Sequence, residues 1–288
     1  MSSKQKILPL HGWIGFVLII VFWYLNWSLD GLRTHILFFP LWLGYALAVD
    51  GLVFYRKSSS LLSRNWKKYI SLFLISAPAW WLFEIFNLRT QNWIYDGKQF
   101  FSHWEYAVYA TLSFSTVVPA VFGTTELVST LKWISNLKID IKIFPTKIFI
   151  IIHFITGLIM LALVMTYPEI FFVLVWLSVF FILEPVNVWL KRNSIYNYLK
   201  NGNWKPVFSL WIGALICGFF WEMWNYFSYP KWIYDIHFAN FFHVFEMPLI
   251  GYLGYIPFSF ELITLYYFLS GFTDKKNTPY LFTNENKK

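Results

Sequence analysis

The sequence predicts an all-α, polytopic membrane protein with about eight transmembrane helices arranged as two parallel four-helix repeats. The first observation is composition: 58% of the 288 residues are hydrophobic and only 13% are charged, whereas a soluble domain carries about 25% charged residues. The second is a series of eight apolar segments, each close to the roughly 20 residues that a membrane-spanning helix needs. The third is a pattern of polar and aromatic residues that occurs twice along the chain.

The apolar segments are separated by short polar loops. Lys4 and Lys6 precede the first segment as in a signal peptide, but no small-residue cleavage pattern follows, so we expect a retained span. Pro168 separates the fifth segment from the sixth and suits the first turn of a new helix. The predicted spans are 9–28, 35–55, 69–88, 105–128, 147–166, 168–190, 207–227 and 246–269.

Lysine and arginine are distributed unevenly over the loops that these spans define. Nineteen lie in the termini and in the loops on the same side as the termini, and four lie on the opposite side. Cytoplasmic loops are the ones enriched in these residues, so we expect a multi-pass protein of the cell membrane with both termini in the cytoplasm. The formal charge of +8 lies in loops between apolar runs, which excludes the basic face of a nucleic-acid-binding domain.

The repeated pattern is a Glu followed three residues later by an Asn, with Trp-Ile-Tyr-Asp several residues beyond. It occurs within residues 84–96 and 222–235, and Asp50 and Glu184 also occupy matching positions. Because four spans return the chain to its starting side, the repeats enter the membrane the same way up and share an axis along the membrane normal. The predicted divisions are a first repeat (1–134), a cytoplasmic connector (135–147), a second repeat (148–272) and a cytoplasmic tail (273–288).

Acidic residues inside the predicted spans are the first candidates for a functional site. Glu84 and Glu222 lie about one turn from the ends of the third and seventh spans, and Asn87 and Asn225 follow them on the same helix face. Ionisable side chains are costly in a membrane and mark functional positions, so we predict carboxyl groups that exchange protons, each oriented by its neighbouring amide. Polar contacts that hold helices together are the alternative. Glu261, in the eighth span, is a further candidate.

The loop that follows each Glu and Asn pair contains alternating aromatic residues. Trp93 and Tyr95 alternate in the first loop, as do Trp232 and Tyr234 in the second, so an extended backbone would direct both rings of a loop to one side. One interpretation is an aromatic belt at the membrane interface. The other is a re-entrant cap over a cavity, which would require two acids to face inward, namely Asp96 and Asp235.

Histidines near these loops raise the question of a metal site. A site would need three or four converging ligands, and the spacing of the candidates matches no metal-binding motif, so we predict no metal and no other cofactor. The candidates are His103, Glu105, His243 and Glu246. We expect His153 and His237 to be hydrogen-bonded structural residues, and the single cysteine, Cys217, to pack as a small hydrophobic residue.

Three elements of the second half form an ordered set. They are Trp221-Glu222 with Asn225, then Lys231-Trp232-Ile233-Tyr234, and finally Pro257 with Glu261 and Tyr266-Tyr267-Phe268. This set resembles the membrane lycopene cyclases of the heterodimeric or fused type, which carry a Trp-Asp-Asn motif, a Gly-x-Trp-x-Tyr loop, and a span with Pro-x-Glu-Glu and paired Phe. The resemblance covers about residues 205–272, and more faintly 69–128.

This resemblance implies two similar halves and an acid–base reaction, because the family cyclises the ends of lycopene by protonating a double bond without net redox change. The catalytic residues expected on this basis are Glu222, Glu261, Asn225 and Glu84. The expected substrate-binding residues are Trp221, Trp232, Tyr234, Asn87, Trp93, Tyr95, Asp235 and Glu246. The expected partners are a membrane lipid or isoprenoid substrate and the bilayer itself.

Two other functional classes stay open. Parallel halves with carboxyl groups near a shared face also suit a proton-coupled transporter, and broken spans at the membrane midplane of both halves would indicate this class. A non-catalytic membrane assembly partner is the second alternative, and copurification of one stable subunit would indicate it. Association into a homo-oligomer is left open as well.

Overall fold

The chain is a multi-pass membrane protein built almost entirely from helices. A computed structural model describes residues 7–236, 241–273 and 280–282. Eight segments within these ranges are long and apolar enough to cross a membrane, which confirms the predicted spans with every end within three residues of its predicted position. The spans are Leu10–Ser28, Thr34–Lys57, Trp66–Thr90, His103–Ser129, Lys147–Thr166, Pro168–Trp189, Lys205–Tyr226 and Leu249–Ser270.

The described part of the first half contains seven α-helices, three of which begin at polar caps, and one 3-10 turn, Lys98–Phe100. Ser60 and Ser102 each form a capping box, and the Asn65 side chain accepts a hydrogen bond from the Lys68 amide; such caps satisfy amides that have no partner inside the helix. The helices are α1 (Leu10–Ser28), α2 (Thr34–Lys57), α3 (Leu61–Arg64), α4 (Trp66–Thr90), α5 (His103–Phe114), α6 (Val117–Ser129) and α7 (Lys132–Ser135).

The second half has long helices in the same order as the first half, and 3-10 turns occur in two of its spans. One 3-10 turn, Phe172–Leu174, interrupts the sixth span, and another, Leu249–Gly254, begins the eighth. The helices are α8 (Lys147–Thr166), α9 (Pro168–Phe171), α10 (Val175–Trp189), α11 (Tyr196–Leu199), α12 (Lys205–Tyr226) and α13 (Tyr255–Ser270).

Two short sheets supplement the helices. Strands β1 (Trp93–Asp96) and β2 (Lys231–Tyr234) are antiparallel although they lie in different halves of the chain. A second pair joins β3 (His243–Val244) to β4 (Met247–Pro248), where the sequence predicts the beginning of the eighth span. We call the β1–β2 pair the roof sheet, and the membrane face that carries it the sheet side.

The helices pack in corresponding ways in the two halves. Helix α1 packs on α2 as α8 packs on α10, while α6 packs on α12 and α13 packs on α4, so each half contacts the other. Close approach of α1 and α2 depends on Gly15, where an added Cβ would lie 2.3 Å from the Ala48 amide nitrogen. The core between the halves is aromatic, and its largest fully buried rings are Trp42, Trp224, Phe83, Phe122 and Phe258.

On the side opposite the roof sheet, matching acidic residues in the two halves accept hydrogen bonds from the segment that follows their helix. Asp50 accepts hydrogen bonds from the Ser60 hydroxyl (2.7 Å) and the Leu62 amide (3.0 Å). Glu184 accepts from the Ser194 hydroxyl (2.7 Å) and from the amide that follows it (2.6 Å). Both carboxyl groups therefore have structural roles. The division into two repeats stays a prediction, and this paired geometry agrees with it.

Candidate functional site

The roof sheet presents four aromatic rings to the interior of the protein. Its register places Trp93 opposite Tyr234 and Tyr95 opposite Trp232, and residues directly opposite in a sheet project from the same face. All four rings line one cavity, so the prediction that the alternating rings share a face is confirmed. The intervening Ile94 is 52% exposed and lies on the other face.

Two buried asparagines fix the roof sheet to the helices below it. The Asn225 side chain donates to the Trp232 carbonyl (2.7 Å) and accepts from the Trp232 amide (3.0 Å). Asn87 likewise donates to the Trp93 carbonyl (2.7 Å) and accepts from the Asn92 amide (2.9 Å). The predicted role of each amide, orienting the neighbouring carboxyl group, is corrected by these contacts, because both ends of each side chain bind the loop backbone.

The Glu84 carboxyl group is enclosed by three donors from its own half. Its Oε1 accepts hydrogen bonds from the Trp80 indole (3.0 Å), the Trp93 indole (3.1 Å) and the Tyr95 hydroxyl (2.6 Å). These donors line the cavity, whereas Glu84 itself is not among the lining residues. Glu84 therefore binds side chains of the roof sheet without being part of the cavity lining.

The Glu222 carboxyl group occupies the corresponding position in the second half and is part of the cavity wall. Its Oε1 accepts hydrogen bonds from the Tyr234 and Tyr255 hydroxyls, both at 2.7 Å. Glu222 is fully buried, and its Oε2 has no hydrogen-bond partner among the described residues. Glu222 also takes part in none of the ion pairs found among the described residues.

The phenols of the roof sheet remain hydrogen-bond donors over a wide range of pH. Burial, together with the neighbouring Glu222 carboxylate, raises the pKa of Tyr234 well above its usual range. Burial and the Glu84 carboxylate have the same effect on the pKa of Tyr95. Because a protonated phenol can donate while a phenolate cannot, each hydroxyl stays directed at its carboxyl group.

The cavity beneath the roof sheet has a volume of about 510 Å³, within the range of pockets that hold small organic ligands. Its walls come from both halves and are mostly aromatic and aliphatic. Trp221 contributes to the wall and stacks on Tyr255 with ring centroids 6.0 Å apart. The deeper lining includes Phe114, Trp176 and Phe258.

Glu261 lies apart from this cavity. It is fully buried, and its Oε1 accepts a hydrogen bond from the Val179 amide of the sixth span (3.2 Å). Pro257, one turn earlier, does line the cavity, but Glu261 does not. The structure therefore does not bring Glu261 together with Glu222, and the expected second proton donor contacts the backbone of a neighbouring helix instead.

The two remaining acids of the predicted site also lie outside the cavity lining. Asp235 is exposed, and its backbone amide donates to the Asn92 carbonyl (2.9 Å). Glu246 forms an ion pair with Lys231. The requirement that Asp235 face inward is therefore not met, although the roof sheet covers a cavity as the cap interpretation expects.

The predicted metal candidates are distributed over separate contacts. Glu105 caps α5 through Ser102, while His103 and His243 are exposed. Within residues 7–236, 241–273 and 280–282, no three His, Cys, Asp or Glu side chains converge as metal ligands would. His153 is hydrogen-bonded to the Tyr196 hydroxyl, while His237 lies outside the described residues.

Sequence reasoning missed Tyr255, which supplies the second donor to Glu222, and Trp80, which supplies one of the donors to Glu84. Trp80 lies four residues before Glu84 on the same helix, so its helical spacing was a usable signal. Tyr255 lies 33 positions from Glu222, and no local pattern links the two residues.

Comparisons with protein-family models, curated proteins and solved structures return no match for the chain. The likeness to the lycopene cyclases consequently depends on the residues quoted above.

Proposed function

We propose that the protein is a membrane-embedded acid–base catalyst that isomerises or cyclises an isoprenoid or similar lipid, with Glu222 as the proton donor. One observation carries the proposal. A fully buried carboxyl group in the wall of an aromatic cavity has one oxygen held by two phenols, while the other has no partner among the described residues.

The two phenols determine which oxygen carries the proton when Glu222 is protonated. An oxygen that accepts two hydrogen bonds, as Oε1 does from Tyr234 and Tyr255, acts as the carbonyl oxygen. The proton is then on Oε2, the atom left for a ligand. A general acid must be within hydrogen-bond reach of the atom that it protonates; Glu222 belongs to the cavity wall, where its Oε2 is buried.

The proposed reaction conserves all atoms and electrons. The Oε2 proton adds to one carbon of a double bond, whose π electrons form the new C–H bond and leave a cation on the other carbon. For a cyclisation, the π electrons of a second double bond in the same chain then form the ring bond. A neighbouring carbon finally returns a proton to the Glu222 carboxylate. The product has the mass of the substrate.

The cavity walls suit a reaction that develops positive charge. Aromatic ring faces attract cations, and Trp221, Trp232 and Tyr234 all line the cavity near Glu222. The same rings exclude water, which would otherwise capture a carbocation as an alcohol. The resemblance to the lycopene cyclases supports this function through Glu222, Asn225 and the 231–234 loop.

The test is isotope incorporation in D₂O. Purified protein in lipid nanodiscs is incubated with alkene chains that include lycopene and squalene, and products of unchanged hydrogen count are analysed by mass spectrometry. We expect a substrate isomer that carries deuterium from solvent, and Glu222→Gln should abolish it while the protein stays folded in the membrane. Deuterium incorporation that survives Glu222→Gln would refute the role of Glu222.

Glu246→Gln is the matched control for this test, because it removes a carboxyl group from the same side of the membrane but outside the cavity lining. It should leave the isomer yield unchanged. An equal loss in both variants would indicate a general effect of removing charge.

Proton-coupled transport is the second candidate, favoured by interruptions in two spans. The fourth span breaks between Phe114 and Val117, and the eighth changes from a 3-10 turn to α13 at Tyr255. Interrupted spans line the binding sites of many transporters. Solute uptake into vesicles that is driven by a proton gradient and lost in Glu84→Gln would favour transport over catalysis.

The proposed location is the cell membrane, with both termini in the cytoplasm and the roof sheet on the outer side. The excess of Lys and Arg in the loops of the terminal side supports this orientation. Asp235 is exposed beside the roof sheet. Labelling of the Asp235→Cys variant by a thiol reagent added outside the cell tests this orientation.

A further inference from the structure

A second group of polar side chains lines the cavity at the N-terminal part of α5. We call Lys98, Tyr106 and His35 the α5 corner; all three line the cavity. The Lys98 ammonium lies 4.3 Å from the centroid of the Tyr106 ring. The His35 ring packs against Phe101 and Tyr109, with centroids 5.0 and 4.7 Å apart. Tyr106 and Tyr109 are one helical turn apart on α5, so the residues that Lys98 and His35 contact lie on neighbouring positions of that helix.

The α5 corner has hydrogen-bonding capacity that the protein does not use. The Tyr106 hydroxyl and the His35 Nδ1 are buried and have no hydrogen-bond partner among the described residues. The ion pairs of that part of the chain do not include Lys98. A buried polar group without a partner destabilises the protein, so a hydrogen bond between a ligand and either of these atoms would remove that cost.

The available groups favour a negatively charged oxygen. Lys98 can only donate, the Tyr106 hydroxyl can donate, and the imidazole of His35 can donate from Nδ1. No acidic residue of the first half lines the cavity. Glu84 is near enough to Lys98 for an electrostatic interaction, but its Oε1 already accepts three hydrogen bonds.

We infer that the α5 corner binds an oxyanion, a phosphate or carboxylate, at the end of an apolar chain whose remainder lies among the aromatic walls near Glu222. The inference rests on the proposed function and narrows its substrate class from any isoprenoid or lipid to an anionic one. A pure hydrocarbon would fill the aromatic part of the cavity but leave the corner unsatisfied. Because the corner and Glu222 line the same cavity, one ligand can contact both.

The test measures binding and needs no turnover. Protein in phosphatidylcholine nanodiscs is titrated with four ligands that share one farnesyl-type chain: farnesyl phosphate, farnesoic acid, farnesol and the parent hydrocarbon. Inorganic phosphate is the fifth ligand and separates headgroup binding from chain binding. Charge-assisted hydrogen bonds are about twice as strong as neutral ones, so we expect the phosphate or the acid to bind at least about tenfold more tightly than farnesol.

Two variants assign that preference to the α5 corner. Lys98→Gln and Tyr106→Phe should each reduce the ratio of anion to alcohol affinity by about tenfold, because the loss of a donor weakens binding of the charged headgroup more than binding of the neutral hydroxyl of farnesol. Lys67→Gln is the matched control, because Lys67 is also exposed and lies over an aromatic ring, that of Trp66, away from the cavity. It should keep the wild-type ratio.

Each outcome decides a different claim. Equal affinity for all four chains, or an anion preference that Lys98→Gln does not reduce, overturns the oxyanion inference and leaves the proposed function standing. Absence of binding for every chain overturns both, because the cavity would then not be a ligand site. Binding of the phosphate but not the acid identifies phosphate as the headgroup, and the reverse identifies carboxylate; both support the inference.

Discussion

The amide of Asn225 offers a direct test of how the roof sheet is held above the cavity. Asn225→Ala removes a donor from the Trp232 carbonyl and an acceptor from the Trp232 amide, at distances of 2.7 and 3.0 Å. Asn225 is 1% exposed, so water does not replace these bonds. Each lost bond at a buried group costs about 1–3 kcal/mol, so the two bonds together predict a loss of about 2–6 kcal/mol if the sheet stays in place.

Local opening of the roof sheet would expose these groups to water and reduce the loss of stability. Stability of the sheet must therefore be measured separately from stability of the whole protein. Hydrogen–deuterium exchange in nanodiscs reports the protection of the peptide that contains residues 231–234, and thermal denaturation reports global stability. We expect faster exchange of this peptide, and of its partner strand at 93–96, in Asn225→Ala. Asn201→Ala is the control, because that exposed amide makes one bond, to the Asn197 carbonyl. Equal exchange in the two variants would refute the anchoring role.

Two further predictions follow from the placement of the other polar groups. Glu261→Leu should lower thermal stability by about 1–3 kcal/mol, because it removes the oxygen that accepts from the buried Val179 amide; farnesol affinity should be unchanged, and a large drop in affinity would contradict its position outside the cavity. Ultraviolet titration should show Tyr95 and Tyr234 still protonated above pH 10, where ordinary tyrosines ionise, because their pKa values are raised. Raised pKa values mean that the folded state keeps protons that the unfolded state loses, so stability should be constant below about pH 10 and fall above it; comparison with the Tyr234→Phe variant checks the assignment.

Hydropathy was sufficient to locate the spans, because burying backbone amides in hydrocarbon permits few structures other than helices. The shape of the eighth span could not be predicted in the same way. The sequence places its beginning at residue 246, but the chain there forms β4 and then the 3-10 turn Leu249–Gly254. These residues are apolar enough for a span, so hydropathy does not distinguish the irregular backbone from a helix.

The repeated Glu and Asn pattern predicted where the site lies but not what each residue does. Asn225 and Glu222 share a helix face, which suggested a direct contact, yet the amide is three residues nearer the loop and binds its backbone. Tyr255 was missed since its partnership with Glu222 depends on how α13 packs on α12. Tertiary contacts of this kind leave no periodic signal in a sequence.

The two halves differ in how their carboxyl groups are placed. One oxygen of Glu84 accepts three hydrogen bonds, and Glu84 is not part of the cavity lining. One oxygen of Glu222 accepts two hydrogen bonds, and Glu222 is part of the cavity lining. In the first half α5 lies beside the cavity; in the second half the irregular segment at 249–254 takes that place. The carboxyl groups of the two halves are therefore not equivalent.

The most direct measurement of the central claim is chemical labelling of Glu222 by dicyclohexylcarbodiimide, an apolar reagent that modifies protonated carboxyl groups within membranes. Peptide mass spectrometry of labelled protein in nanodiscs should find the adduct on Glu222, and farnesyl-chain ligands should reduce it. Glu261, which lies outside the cavity lining, should react far more slowly. Labelling of Glu261 at the rate of Glu222, or labelling of Glu222 that no chain ligand reduces, would contradict the account.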